Sequence, residues 1–538
     1  MFAPITLALL LFQAPAEPKL ATLEGVVTHA GSQTPIRKAK VGLTAIGFDG
    51  GGSVETGDDG KFTFKDVKPG RYRITAEKSG YETTAYGAKK PGEALGQLLR
   101  VDPGAALSTV NIALPKHGVI AGKILDADSE PVQKALVLAL GHFYNNGKLI
   151  RIPRGAVPVM SDDLGQFRIG QLPPGKYVVC AIPFSWVQPT PLDKDAKPTT
   201  EDASTTTCFP NVAQMNEGTP LEIKDGSEIP GIDIRLIKSR TVSVQGHITG
   251  IPQGAGSVTI INLNARNAGP MGNALNPRAI VMGGEGRFEF KNVVPGSYVM
   301  HTLPTGLGNA PFIVKSNVEI GDQPVTDLSV PAIIPFEVKA KINAEPGPEL
   351  KLGSVRVVVT PADDITSAVS MGTSNPDGDL ALPNIVPGRQ RIAITGTPAT
   401  HYVREIRVGD QVAQSDEIDV TTPATPLTIS LSLAKGEIDG LARNEKGEPV
   451  PGAHIALIPE PRRAFRQRAT RSDQNGGFKL QNVPPGDYYL AALDSVQPGA
   501  LEDEDVVKPL LSKMKKVRVQ DDSNQNFELT VLPQPESK

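Results

Sequence analysis

The chain has 538 residues, too many for one ordinary hydrophobic core, so length alone predicts several domains. Gly (54) and Pro (48) together make up about a fifth of it, and 39% hydrophobic residues suffice for packed cores, a balance that points to an all-β chain of short elements joined by turns. A net charge of −3 gives no electrostatic case for a nucleic-acid partner or an anionic membrane surface.

The chain opens "MFAPITLALLLFQAPAEPK". Ile5 to Phe12 form an apolar run too short to span a bilayer, and Ala14 to Ala16 provide a small-residue cleavage site, although no Lys or Arg precedes the run. Residues 1–16 are therefore expected to be a signal peptide. No later stretch is long and apolar enough to anchor the protein. The expectation is a secreted or periplasmic protein of the cell envelope with no membrane insertion after signal removal.

From residue 56 onward one pattern recurs. "TGDDGKFTFKDVKPGRYRI" (56–74) returns as "SDDLGQFRIGQLPPGKYVV" (161–179), "GGEGRFEFKNVVPGSYVM" (283–300), "SNPDGDLALPNIVPGRQRI" (374–392) and "SDQNGGFKLQNVPPGDYYL" (472–490). In each copy two glycines lie ten residues apart: Gly60/Gly70, Gly165/Gly175, Gly286/Gly296, Gly378/Gly388 and Gly476/Gly486. Two positions after the first glycine stand Phe62, Phe167, Phe288, Leu380 and Phe478; two after the second stand Tyr72, Tyr177, Tyr298, Gln390 and Tyr488. The first glycine and its Asp or Asn neighbours suit a tight turn, and the Phe opens an alternating strand. The Pro-Gly step is expected to reverse that strand into an antiparallel return led by the Tyr.

Upstream lie further strand pairs, "LEGVVTHAGSQTPIRKAKVGLTAI" (23–46), "IAGKILDADSEPVQKALVLAL" (120–140) and "IDGLARNEKGEPVPGAHIALI" (438–458), whose second strands are led by Ala39, Ala135 and Ala453. "VSVQGHITG" (242–250) keeps the first strand and its glycine, whereas the fourth copy, from Phe336, lacks that glycine. A closing strand such as "STVNIALPK" or "NFELTVLPQ" ends each unit. Seven or so short strands per unit read as a β-sandwich.

These motifs resemble the carboxypeptidase regulatory-like domain family, allied to the collagen-adhesin B-type repeats. The resemblance is closest in copies one, two and five, weaker in three and weakest in four. It implies a tandem array of about five prealbumin/immunoglobulin-like β-sandwiches in a multi-repeat secreted bacterial protein, related in shape to starch-binding modules. The expected divisions are 20–116, 117–238 (long insertions), 239–333, 334–433 (degenerate) and 434–535 (short helical insertion). Closing strands run almost directly into the next first strands, as in "NIALPKHGVIAG" and "LSLAKGEIDG", which predicts a semi-rigid rod or gentle arc.

No catalytic, metal or cofactor site is expected. The seven histidines, His29, His117, His142, His247, His301, His401 and His454, fit neither a His-Glu-x-x-His nor a His-x-x-Glu zinc pattern. Nucleophile-elbow, P-loop and dinucleotide patterns are missing as well. The Asp-rich turns lack the distal bidentate Glu of a calcium loop. Cys180 and Cys208 bracket a long polar loop and form a candidate disulfide. An isopeptide bond of the adhesin kind would need a repeated Lys-acid-Asn set; Lys123 with Asp233, and Asn111 and Asn526 on closing strands, are isolated cases. Phe143, Tyr144 and Trp186 are candidate rings for a carbohydrate platform, although core or loop-anchoring duty suits them as well. The arm "PRRAFRQRATR" (461–471) reads as solvated, and 501–516 as a short amphipathic helix. The functional expectation is a non-catalytic spacer or interaction scaffold, its partner an unidentified envelope protein or polysaccharide, with a carbohydrate-binding protein as the alternative.

Overall fold

Alternation decides the first strand of each unit: along Ala21–His29 the side chains of Ala21, Leu23 and Val27 are buried while those between them face outward. In the computed structural model the described residues are 19–46, 50–90, 96–145, 148–153, 158–187, 197–253, 259–266, 277–281, 286–302, 312–347, 350–363, 368–463 and 466–534. The expected signal peptide lies outside them. The chain is an all-β array of about five sandwiches, and it divides into two compact units, residues 1–79 with 83–114, and residues 80–82 with 115–538.

The first unit is one sandwich. Ala21–His29 pairs antiparallel with Lys61–Val67 and parallel with Ala106–Leu107 and Ile112–Leu114. Facing it, Lys40–Ala45 pairs with Gly51–Glu55 and Gly70–Glu77. The two strands of the repeated motif therefore belong to different sheets, Lys61–Val67 to one and Gly70–Glu77 to the other. The same division holds for Gln166–Leu172 against Gly175–Ile182 and Asp379–Ile385 against Gly388–Thr395. In the fifth copy Gly477–Val483 and Gly486–Leu493 likewise pair with different strands and not with each other, although Asn524–Leu532 bridges their two layers into one continuous sheet.

This corrects the expected hairpin: Pro-Gly is an arch that carries the chain across the sandwich. The reason is that Phe and Tyr are both core residues and must enter the interlayer space from opposite sheets. Each arch is fastened by its tyrosine, whose hydroxyl donates to the carbonyl four residues upstream: Tyr72 to Lys68 (2.8 Å), Tyr177 to Pro173 (2.7 Å), Tyr298 to Val294 (2.6 Å) and Tyr488 to Pro484 (2.8 Å). Burial pushes the phenols of Tyr298 and Tyr488 up to about 12, so they remain donors across any physiological pH.

Before the arch, Asp66, Gln171, Asn292, Asn384 and Asn482 each adopt positive φ, six residues after the turn glycine. There the pairing register slips by one residue, a bulge that ends the strand and turns the chain toward the other sheet. The motif's opening residue is a second fastener. Thr56 donates to the Ile36 carbonyl and accepts from the Ala39 N–H; Ser161 and Ser472 make the equivalent pairs with Val132 and Ala135, and with Val450 and Ala453.

At Gly175 and Gly296 the expectation of a glycine that reverses the chain fails: neither φ is left-handed, and a Cβ at Gly175 would meet nothing nearer than the Tyr177 hydroxyl oxygen at 3.6 Å. Gly296 is exposed at the first position of Gly296–Thr302, and its φ lies outside the left-handed region, unlike that of Gly388 at +117. A Cβ at Gly296 would meet nothing nearer than the Tyr298 ring, at an ordinary 3.5 Å, so neither backbone conformation nor space requires glycine there. The bulge at Asn292 and the Tyr298 hydroxyl already turn and fasten this arch, which leaves Gly296 as an exposed strand residue rather than a structural determinant.

In the second unit four sandwiches keep separate cores, centred on Phe167, Phe288, Leu382 and Phe478. They do not extend as a rod. Val294 of the third sandwich packs on the outer face of the second, against Leu138, Val178 and Ile182. Lys315 of the third is ion-paired with Asp363 of the fourth, Arg466 of the fifth donates to the Val403 and Arg404 carbonyls of the fourth, and Tyr144 of the second is buried in an apolar cluster of the fifth. Contacts thus run from second to third to fourth to fifth and back to the second. The expectation from linker length failed here because side-chain contacts between sandwiches, rather than linkers, set the arrangement.

Candidate functional site

The Asp-rich turns are occupied by their own backbone. Asp162 Oδ1 accepts the N–H groups of Leu164 and Gln166 (3.0 and 2.7 Å), Asp473 Oδ1 those of Asn475 and Gly477 (both 2.9 Å), and Asp59 Oδ1 that of Lys61 (3.1 Å). These are Asx turns that define a corner. Among the described residues no three His, Cys, Asp or Glu side chains are grouped to hold a metal ion. The candidate isopeptide residues serve the sandwich seam instead. Asn111 Oδ1 accepts the Val26 N–H and Asp233 Oδ1 the Lys123 N–H, fixing closing strand to first strand, and Asn526 donates to Asp439 across the same seam.

The insertions of the second sandwich join sandwiches. Cys180 and Cys208 are cross-strand neighbours linked as a disulfide, S–S 2.04 Å. Between them the chain leaves its own sandwich and adds Thr200–Ser204 as an antiparallel strand to Lys238–Thr249, the first strand of the third. Trp186 stands on a one-turn helix, Phe184–Val187, and its side chain lies outside the described part. Phe143 is 39% exposed, but Tyr144 is only 4% exposed and packs among Ala456, Ile458, Leu493, Val507 and Leu510. Tyr144 therefore cannot serve as an exposed stacking platform. It alternates with Phe143 along Leu136–Asn145, so the two rings point to opposite faces.

Tyr144 is received by the elaborated side of the fifth sandwich. The helix expected within 501–516 spans Glu504–Leu511, with Asp503 at its N-cap accepting the Asp505 N–H at 2.8 Å. Its apolar face, Val506, Val507 and Leu510, closes over the outward side chains of His454–Glu460 and Gly486–Leu493. Gly499 has φ +80, and a Cβ there would lie 2.9 Å from the Tyr144 Cβ, so only glycine permits the approach.

The Arg-rich arm is packed rather than solvated, against expectation. Arg462 donates to the Leu501 and Glu502 carbonyls (2.9 and 3.0 Å), and Arg471, 5% exposed, donates to the Gly452 carbonyl at 2.9 Å. The Arg466 guanidinium lies 5.4 Å from the Tyr402 ring centroid and donates to Arg404 O at 2.6 Å. Beside it a cleft of about 320 Å³ opens between the fourth and fifth sandwiches, with Arg404, Arg463 and Arg466 on its wall together with Glu405, Glu460 and Asp487. Burial, and secondarily the Arg463 charge, lowers the Arg466 pKa. The arm was conspicuous in sequence. Arg404, in an unremarkable strand of the weakest copy, carried no signal.

Across the described chain, the geometry common to the first and last copies is an arch fastened by tyrosine, a hydroxyl fastener at the motif's start and a glycine-bearing first strand. Residues 22–115 and 437–531 also match the carboxypeptidase regulatory-like domain family. These segments are carboxypeptidase regulatory-like domains. No curated protein sequence matches the chain. Among solved structures, similarity is found to the Bacillus anthracis TIE protein (10% identity, 75% of this chain and 69% of that one, TM-score 0.16). It is also found to a streptococcal ancillary pilin (12%, 55% and 99%, TM-score 0.19) and to GBS52, the minor pilin of Streptococcus agalactiae (15%, 41% and 96%, TM-score 0.23). With TM-scores this low, the assignment of carboxypeptidase regulatory-like domains rests on the family match and the motif geometry.

Proposed function

We propose that the chain is a non-catalytic scaffold of the cell envelope, secreted or periplasmic, in which regulatory-like sandwiches hold a fixed arrangement and present surfaces to a partner. The observation that supports this most is the burial of Tyr144 of the second sandwich in the fifth. The residues added to the repeated module go to joining modules, and the polar residues of the repeated turns go to the backbone. The apolar N-terminal run and Ala14–Ala16 support export. No helix among the described residues is long and apolar enough to cross a membrane. The carbohydrate-binding alternative has lost one of its three rings, since Tyr144 is buried. Expression of the whole chain in a bacterium, followed by fractionation and intact-mass measurement, tests the reading. Recovery outside the cytoplasm with residues 1–16 removed is expected. Retention in the cytoplasm with an intact N-terminus would overturn it, as would catalytic turnover lost on substituting residues of the chain.

A further inference from the structure

We propose that the cleft between the fourth and fifth sandwiches is a binding site for a peptide segment that presents a single carboxylate between uncharged neighbours. The argument begins with which charges in the cleft are already committed. Glu405 is ion-paired with Arg407 (2.8 Å), Glu460 lies 3.8 Å from Lys516 and accepts the Tyr489 hydroxyl at 3.0 Å, and Asp487 lies 3.8 Å from Arg518. Each carboxylate on the wall thus has a cation of its own outside the cleft.

The arginines have no such partners. Arg466 is held by the Val403 and Arg404 carbonyls, neutral acceptors that leave its charge uncompensated. Arg463 Nε is buried and donates to no acceptor, and Arg404 is exposed at the mouth. Three guanidiniums therefore share about 320 Å³ with no carboxylate assigned to them. A planar guanidinium matches a carboxylate in bidentate geometry.

The surrounding chemistry selects the kind of anion. Glu405, Glu460 and Asp487 place three negative charges around the arginines, which would repel a polymer carrying a carboxylate on every unit. The aromatic ring on the wall, Tyr488, is 2% exposed with its hydroxyl committed to Pro484, so it offers no face for a sugar to stack on. Pro459, Pro461 and Val412 supply small apolar contacts suited to uncharged flanking residues.

The test uses the full chain and a pair of acetylated, amidated pentapeptides, Gly-Pro-Glu-Pro-Gly and its Gln counterpart, titrated by calorimetry at low ionic strength. The Glu peptide is expected to bind at least about tenfold more tightly, and Arg404→Gln with Arg463→Gln to abolish that preference while the melting profile is unchanged. Arg356→Gln, an exposed position on the fourth sandwich, should leave it intact. Equal binding of the two peptides would overturn the proposal, and so would a preference that survives the double substitution. Tight binding of polygalacturonate with no binding of the Glu peptide would replace it with a polysaccharide site.

Discussion

Gln390 Nε2 donates to the Val386 carbonyl at 2.7 Å, taking the place that a tyrosine hydroxyl occupies in the other four sandwiches. The fourth copy is degenerate by residue identity but not by bonding: the acceptor is still four residues upstream, and the amide still fastens the arch. Gln390→Leu would keep the volume and orphan a carbonyl on Val386, itself 5% exposed. The expected cost is about 1–3 kcal/mol to the fourth sandwich. Gln390→Tyr should be near neutral or favourable. Chemical denaturation of the whole chain, read by hydrogen exchange in 379–395, separates the two outcomes.

The strand glycine has an equally specific role. Gly25, Gly122, Gly246 and Gly440 face Phe62, Phe167, Phe288 and Phe478 across the ladder, and a Cβ at Gly440 would lie 1.8 Å from the Phe527 carbonyl oxygen of the closing strand. In the fourth sandwich Ala340 faces Leu380, so a larger residue on one strand meets a smaller one on the other. Gly440→Ala is expected to destabilise the fifth sandwich by more than about 2 kcal/mol, because backbone must move. Ala340→Gly should cost about 1 kcal/mol or less. Equal effects of the two substitutions in urea melts would show that the close approach does not control the position.

The module was legible in sequence because its signals are local. Fixed spacing of Gly60 and Gly70, alternation after Phe62 and a polar turn before it depend on neighbours a few residues away. The arch was not legible: Pro-Gly between two alternating runs reads equally as a hairpin, and only the Tyr72 hydroxyl reaching Lys68, with positive φ at Asp66, distinguishes the two. Asp or Asn at four of five such positions, six after the turn glycine, was the available clue. Recurrence also overstated two positions, because Gly175 and Gly296 keep the spacing of the motif without any steric need for glycine. Contacts between sandwiches were harder still. Tyr144 and Gly499 are more than three hundred residues apart, and an exposed-looking aromatic in a loop is compatible with ligand binding or with docking against a distant part of the same chain. Arg404 and Arg463 meet for the same reason, through packing that no local pattern encodes.

The contact of Tyr144 with the fifth sandwich should control how tightly the second to fifth sandwiches are held. Tyr144→Ala removes a ring packed on the Glu504–Leu511 helix, and Gly499→Val pushes a branched side chain into the Tyr144 backbone. Either change is expected to raise hydrogen exchange in 500–511 by at least tenfold and to enlarge the radius of gyration, while exchange in the Phe478 core is little changed. Phe143→Ala, on the opposite face of the same strand, is the matched control and should do neither. An unaltered radius in both variants would mean that the remaining contacts suffice to hold the arrangement.

Reduction tests the second insertion. The disulfide closes a loop with a sequence separation of 28 and ties the strand Thr200–Ser204 to the sandwich it leaves. Closing a loop of that length contributes about 3 kcal/mol in the chain-entropy account. Cys180→Ala with Cys208→Ala is expected to lower the stability of the second sandwich by that order. It should also loosen 200–204 against 238–242, both read by exchange under native conditions.

Acidification should weaken the fifth sandwich through His454. Its Nδ1 is buried without an acceptor or donor partner, and the residue faces Arg471 on one neighbouring strand and Leu493 on the other. Burial first, and the Arg471 charge second, push its pKa down to about 4. The folded ring is therefore neutral, whereas the unfolded chain takes up a proton near pH 6.5. Stability is complete above about 6.5 and is lost as pH falls toward 4, where both states are protonated and the loss levels off, a total of about 3 kcal/mol at most. His301, also lowered by burial, adds a slope of the same sign in the third sandwich. Calorimetric melts between pH 7 and pH 4 should show the transition of the fifth sandwich moving down, and His454→Gln should flatten that movement while leaving the slope due to His301. An unchanged pH dependence in His454→Gln would show that this histidine is already solvated in the folded protein.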